Sequence, residues 1–116
     1  MNANEYQQLA KRTLLTKPDR TYSDQETMLV WNAIGLAGEA GEVAELVKKG
    51  VFHNHSVDVN NITKELGDVM WYVAGIASTL GLNLDDIMEK NIAKLKARYP
   101  NGYSSAESVN RLEYKK

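Results

Sequence analysis

Two short acidic patterns carry the chemistry this chain could perform: Glu39-Ala40-Gly41-Glu42-Val43 and, 26 residues on, Glu65-Leu66-Gly67-Asp68-Val69. On a helix, positions i and i+3 are neighbours on one face, so each copy presents two carboxylates side by side. Four carboxylates brought together repel, and a cation must sit among them. Oxygen-only ligation fits a hard ion, Mg²⁺ or Mn²⁺, whereas zinc would recruit His or Cys. There is no cysteine, and the two histidines, His53 and His55, fall in the turn expected between the two acidic helices, where they read as solvated loop residues. A di-iron bundle would need Glu-x-x-His on two helices, and that spacing is absent. For any single ExxE, solvent-facing acids on an amphipathic helix are the plain alternative.

Carboxylate-held Mg²⁺ completes its shell with water and substrate phosphates, which turns attention to cations. Asn91, Lys94 and Arg98 form an Asn-x-x-Lys-x-x-x-Arg face of donors suited to phosphate. A basic last turn matched to the helix dipole explains the same residues equally well. Trp31, Trp71 and Tyr72 are the aromatic candidates for stacking on a base; Trp31 and Trp71 also suit a core or an interface.

The elements that would position these groups follow from periodicity. Apolar residues fall at Leu29, Ala33, Leu36, Ala40, Val43 and Val47, and again at Ile62, Leu66, Val69, Val73, Ile76 and Leu80, the spacing of a helical seam. Every acid of the two patterns stands one residue before a seam position, so both pairs have the same phase. Gly41 lies nine residues before an expected stop at Gly50, and Gly67 nine residues after an expected cap at Asp58. Folded back antiparallel, both pairs would lie about 14 Å from the turn at about 1.5 Å per residue. Gly41 and Gly67 would allow close backbone approach or leave room for the acids.

The boundaries come from capping signals. Asn2 with Glu5 starts a short first helix whose inner face carries Tyr6, Leu9, Ala10 and Thr13. Lys17-Pro18-Asp19 marks a turn, and Ser23-Asp24-Gln25-Glu26 a capping box that opens a helix to about Lys49, with Val51 to Val57 a loop. The third helix runs from about Val59 to Leu80 and stops at Gly81; Asn83 caps a fourth that Tyr99-Pro100 ends. Asn101-Gly102 is a turn, and Ser104-Ser105-Ala106-Glu107 has the spacing to start one more short helix. The expected fold is all-α: a single domain over 1–116, a four-helix bundle-like protomer with two long antiparallel helices.

At 116 residues, with net charge -1 and a pI near 6.1, the chain lacks the basic field that drives nonspecific DNA binding. No apolar run reaches the ~18 to 20 residues of a membrane span, and the start has no signal-peptide pattern. A cytoplasmic protein is expected. Two long helices with two short ones cannot readily enclose a metal cluster and a ligand, and apolar residues off the seam, Trp31, Ile34, Met70 and Ala77, suggest a second buried face. An oligomer, at least a dimer, is therefore expected.

Gly38-Glu39-Ala40-Gly41-Glu42, Glu65-Leu66-Gly67-Asp68 and Asn91 through Pro100 together resemble the MazG-like branch of the all-α nucleoside triphosphate pyrophosphohydrolases, in particular the short single-domain members of bacteria and phages. The resemblance extends from Tyr6 to the Tyr103-Ser104-Ser105 tail. It implies that Glu39, Glu42, Glu65 and Asp68 ligate Mg²⁺, that Asn91, Lys94 and Arg98 engage the triphosphate, and that Tyr72 contacts ligand. It also implies cleavage between the α- and β-phosphates, a cytoplasmic setting in a bacterium or in a phage host, and a dimer or tetramer. The family pattern EExxE departs here at its first acid, which is Gly38, so the general base stays open. A helical module that binds nucleotides or a protein without turnover is the alternative reading.

Overall fold

The computed structural model describes residues 1–53, 56–103 and 105, all-helical in its regular elements. Helix α1 spans Ala3–Ala10 and tightens into a 3-10 turn at Lys11–Thr13; α2 spans Asp24–Phe52, α3 Val59–Thr79 and α4 Leu84–Arg98. His55 and, apart from Ser105, the spacing from Ser104 to Glu107 lie outside the described residues.

Side chains cap each helix start as their spacing requires. Asn2 Oδ1 accepts from the Glu5 amide, and Asp58 Oδ1 from the Asn61 amide. Asn83 Oδ1 accepts from Asp85. Ser23 and Glu26 close a reciprocal box at the start of α2, with Ser23 Oγ accepting from the Glu26 amide and Glu26 accepting from the Ser23 amide, both at 3.0 Å. Arg20 adds a two-pronged contact to Glu26, 2.7 and 3.3 Å, and lies 4.3 Å from the Tyr22 ring centroid. The Arg20 hydrogen bonds, followed by the Ser23 amide, hold the Glu26 carboxyl down at about 2.

The end of α3 is a full Schellman turn. Gly81 takes φ +68°, the Leu82 amide donates to Ala77 at 2.7 Å and the Gly81 amide to Ser78 at 3.2 Å. At the end of α2 the expectation fails: Gly50 does not stop the helix, which continues to Phe52 with His53 as its exposed C-cap. Gly50 is there for space. A Cβ on it would meet the Val57 backbone at 2.9 Å, so glycine lets the connection fold tightly against the helix.

Helices α2 and α3 fold back on one another. Gln25 Nε2, at the start of α2, donates to the Thr79 carbonyl at the end of α3 (2.7 Å), while Gly50 meets Val57 at the other end. The seam between them differs from the apolar one. Asn32, Leu36, Glu39, Val43 and Leu46 turn inward on α2 while Ala33, Ala40 and Val47 are exposed; on α3, Glu65 is part-buried and Leu66 exposed. Glu39 and Glu65 thus lie in the seam itself, while Glu42 and Asp68 stay exposed beside it. The close approaches also fall elsewhere than expected: a Cβ on Gly41 or Gly67 would touch nothing, whereas Gly35 is covered by the Tyr72 ring and Gly75 by Asn32.

Among the described residues this hairpin is the one extensive contact between α-helices. Tyr6 and Leu9 of α1 are exposed, as are Met88 and Ile92 of α4, so α1 has no inner face and the protomer is not a closed four-helix bundle. Among the described residues only Ala77 and Asn32 are buried. The radius of gyration is 20.5 Å, against about 13 Å for a compact chain of this length.

Candidate metal centre

Glu39 sits one helical turn past the Gly35 contact on α2, and Asp68 one turn before Tyr72 on α3, so the two meet across the seam. Glu65 lies a turn further toward the connection. One carboxylate oxygen from each of Glu39, Glu65 and Asp68 falls within 4.8 Å of the others. Glu39 and Glu65 are part-buried, Asp68 exposed. Glu42 stands outside this trio, exposed, yet near enough for its charge to act on Glu39.

The electrostatics are those of clustered like charges. A hydrogen bond to Glu65 is the largest influence raising the Glu39 carboxyl from 4.5 to about 7, followed by partial burial and then by the charges of Glu65, Asp68 and Glu42. Every charge that perturbs Glu39 is negative. Three converging carboxylates with one proton between two of them fit a hard divalent cation, which would take the proton's place with far more charge.

The other expected site residues are placed differently. Asn91 and Lys94 are exposed on α4 and Arg98 is part-buried there, on a helix that does not pack along the α2–α3 hairpin. Among the described residues α4 thus makes no extensive contact with the helices that carry the acids. Tyr72 is part-buried between the helices, with Trp71 in edge contact at 5.1 Å. Trp71 is 65% and Trp31 66% exposed, so neither is core in the isolated chain. Trp31 instead lines a groove with Tyr22, Leu29, Val30 and Ile34, on the arm of the hairpin away from the connection.

Asn32 and Gly35 were not singled out by composition or pattern. The signal was there: Asn32 stands three residues after Leu29 and four before Leu36, in line with the seam, but a polar residue carries no weight in an apolar pattern.

A family profile described as the MazG nucleotide pyrophosphohydrolase domain matches residues 27–103, which include both acid pairs and the α4 donors. The chain is also 36% identical over 117 aligned positions to the Gene 37 protein of Mycobacterium phage L5, covering 96% of this chain and 100% of that protein. No solved structure matches significantly. On the strength of that match, and with its acids gathered in the α2–α3 seam, the chain belongs to the MazG nucleotide pyrophosphohydrolase domain family.

Proposed function

We propose that the chain is a Mg²⁺-dependent nucleoside triphosphate pyrophosphohydrolase, releasing nucleoside monophosphate and pyrophosphate and so controlling or cleaning the nucleotide pool. The observation that carries this reading is the convergence of Glu39, Glu65 and Asp68 around a space where every acting charge is negative. Such a donor set suits Mg²⁺, with Mn²⁺ as a substitute, which when bound supplies charge neutralisation of phosphate and activation of water.

The chain's own residues then divide the work. Glu39, Glu65 and Asp68 hold the cation, and Glu42, one turn from Glu39, carries a further carboxylate for a second ion, a ligand or a proton acceptor. With glycine at position 38, the proton of the attacking water must pass to one of these four acids or to solvent. Lys94 and Arg98, with Asn91, bind phosphate oxygens, and Tyr72, a turn from Asp68, contacts the base. Displacement in line at the α-phosphorus requires positioning and charge, and no covalent nucleophile.

The donors on α4 and the acids of the hairpin come together through a second copy of the chain. The protomer exposes 9764 Å², where a compact 13.0 kDa protein exposes about 6,300 Å². The difference, about 3,400 Å², is several times the ~800 Å² per partner of a standard interface. It supports an intertwined dimer or a tetramer. The apolar faces around Trp31 and Trp71 and along α4 are the surfaces so covered.

The test is product analysis on a panel of ribo- and deoxynucleoside triphosphates. Pyrophosphate release that requires Mg²⁺ supports the proposal. Nucleotide binding with no turnover on any member of the panel refutes it in favour of a binding module.

A further inference from the structure

The acid cluster is a set of like charges placed between two helices, and its own repulsion favours sliding or splaying them. Something else must hold the alignment. Moving along the seam from Glu39 and Asp68, four residues back on α2 and four forward on α3 bring Gly35 and Tyr72 into contact. Three more on each bring Asn32 and Gly75 together. The contacts stay in step with the acids.

Asn32 is only 7% exposed, the one buried polar residue among the described residues. Its Nδ2 donates to the Met28 carbonyl at 2.8 Å, one turn back on its own helix, which fixes the side chain. The Oδ1 is thereby directed at α3, where a Cβ on Gly75 would lie 2.7 Å from it. A larger residue opposite would require the Asn32 side chain to give up its bond to Met28 and turn away. A slip of α3 by one turn in either direction would set Trp71, Tyr72, Ser78 or Thr79 against Asn32, each with a Cβ at the contested point. Such a slip moves the helix about 5.4 Å, more than the 4.8 Å within which the three carboxylate oxygens meet. A buried polar side chain that tolerates one partner is a known way for packed helices to fix their register.

We propose that Asn32 and Gly75 are positioning residues, a register lock that holds Glu39 against Asp68 and Glu65. The functional weight of the claim rests on the metal reading above; the alignment itself does not. Tyr72 over Gly35 adds close packing, but a flat ring can slide along a glycine surface, whereas the Asn32 contact admits one position.

The experiment exploits a chain free of cysteine. Glu39→Cys with Asp68→Cys gives a pair whose oxidative cross-linking reports the register without metal. Into it go Asn32→Leu, nearly isosteric but unable to bond Met28, or Gly75→Ala. The expected result is cross-linking slowed at least tenfold by either change, with helicity by circular dichroism kept and the thermal midpoint of the Asn32→Leu form no lower than its parent's. Cross-linking within twofold of the parent in either variant overturns the proposal. So does loss of helicity in both, because the pair would then hold the fold rather than the register. Mn²⁺ titration of Asn32→Leu and Gly75→Ala with all acids intact should show affinity reduced at least tenfold. A parent that cross-links yet binds no Mn²⁺ refutes the metal reading and leaves the lock standing.

Discussion

Lowering the pH should weaken metal binding at this site in a way that identifies the proton involved. Glu39 is raised from 4.5 to about 7 by its hydrogen bond to Glu65, by partial burial and by the neighbouring charges. A divalent ion needs the carboxylate, so binding must expel that proton. Below pH 7 the affinity therefore falls about tenfold per pH unit, leaving it about a hundredfold weaker at pH 5 than on the plateau above 7. Stability of the metal-free chain follows the same proton with a definite sign. Between 4.5 and about 7 the folded chain holds a proton that the unfolded chain has lost, so stability falls as pH rises through that window. Saturating Mg²⁺ should reverse the loss. Mn²⁺ titration by calorimetry or by electron paramagnetic resonance, in buffers of different ionisation heat, measures both affinity and proton release. Glu39→Gln should flatten the profile while lowering the plateau. A wild-type affinity unchanged between about pH 5.5 and 8 would refute the reasoning.

Asp68→Asn removes one of the three converging oxygens and should lower turnover at saturating Mg²⁺ by at least about a hundredfold in a folded protein. Glu42→Gln, outside the trio, should cost only about tenfold; equal losses would place Glu42 among the ligands. Lys94→Ala and Arg98→Ala should each reduce kcat/KM for a triphosphate by ~10- to 100-fold and leave binding of the bare nucleoside nearly unchanged. Equal loss for both ligands would make their role structural. Sedimentation should give a mass at least twice 13.0 kDa; a fully active monomer at assay concentration would contradict the shared site. Ser23→Ala, which opens the box at the head of α2, should lower stability by about 1 kcal/mol in chemical denaturation.

Helix starts were legible because capping is local: Asn2, Ser23, Asp58 and Asn83 act on amides two or three residues away, and Gly81 turns left-handed as its place after Leu80 demands. Gly50 misled because glycine serves two needs. The same residue that ends a helix also lets a loop press against one, and only the position of Val57 decides between them. The seam holds as expected at Leu36, Val43, Val69 and Val73 and departs at Ala40 and Leu66, for a related reason. Hydrophobic pattern marks Ala40 and Leu66 as inward, but the hairpin turns Glu39 and Glu65 inward and leaves the apolar neighbours exposed. Charge held between helices inverts the usual sign of the pattern at those positions and leaves Ala40 and Leu66 on the surface. The packing of α1 and α4 was illegible in one chain's sequence because their apolar stripes find no extensive partner among the described residues.

The short connection between α2 and α3 also sets an order of events. Contacts along the hairpin are closed by local zipping from the turn, which is fast and independent of concentration. In the proposed oligomer, covering the outer faces would require two chains to meet, a step that slows as the protein is diluted. A newly made chain thus gathers its acids before it has a stable body around them. During that interval the cation that neutralises Glu39, Glu65 and Asp68 is also what favours the closed hairpin over the open one. On the proposed reading, metal supply would then act on the monomer and set how much assembly-competent protein there is, so that the ion proposed for turnover would serve earlier as a folding partner.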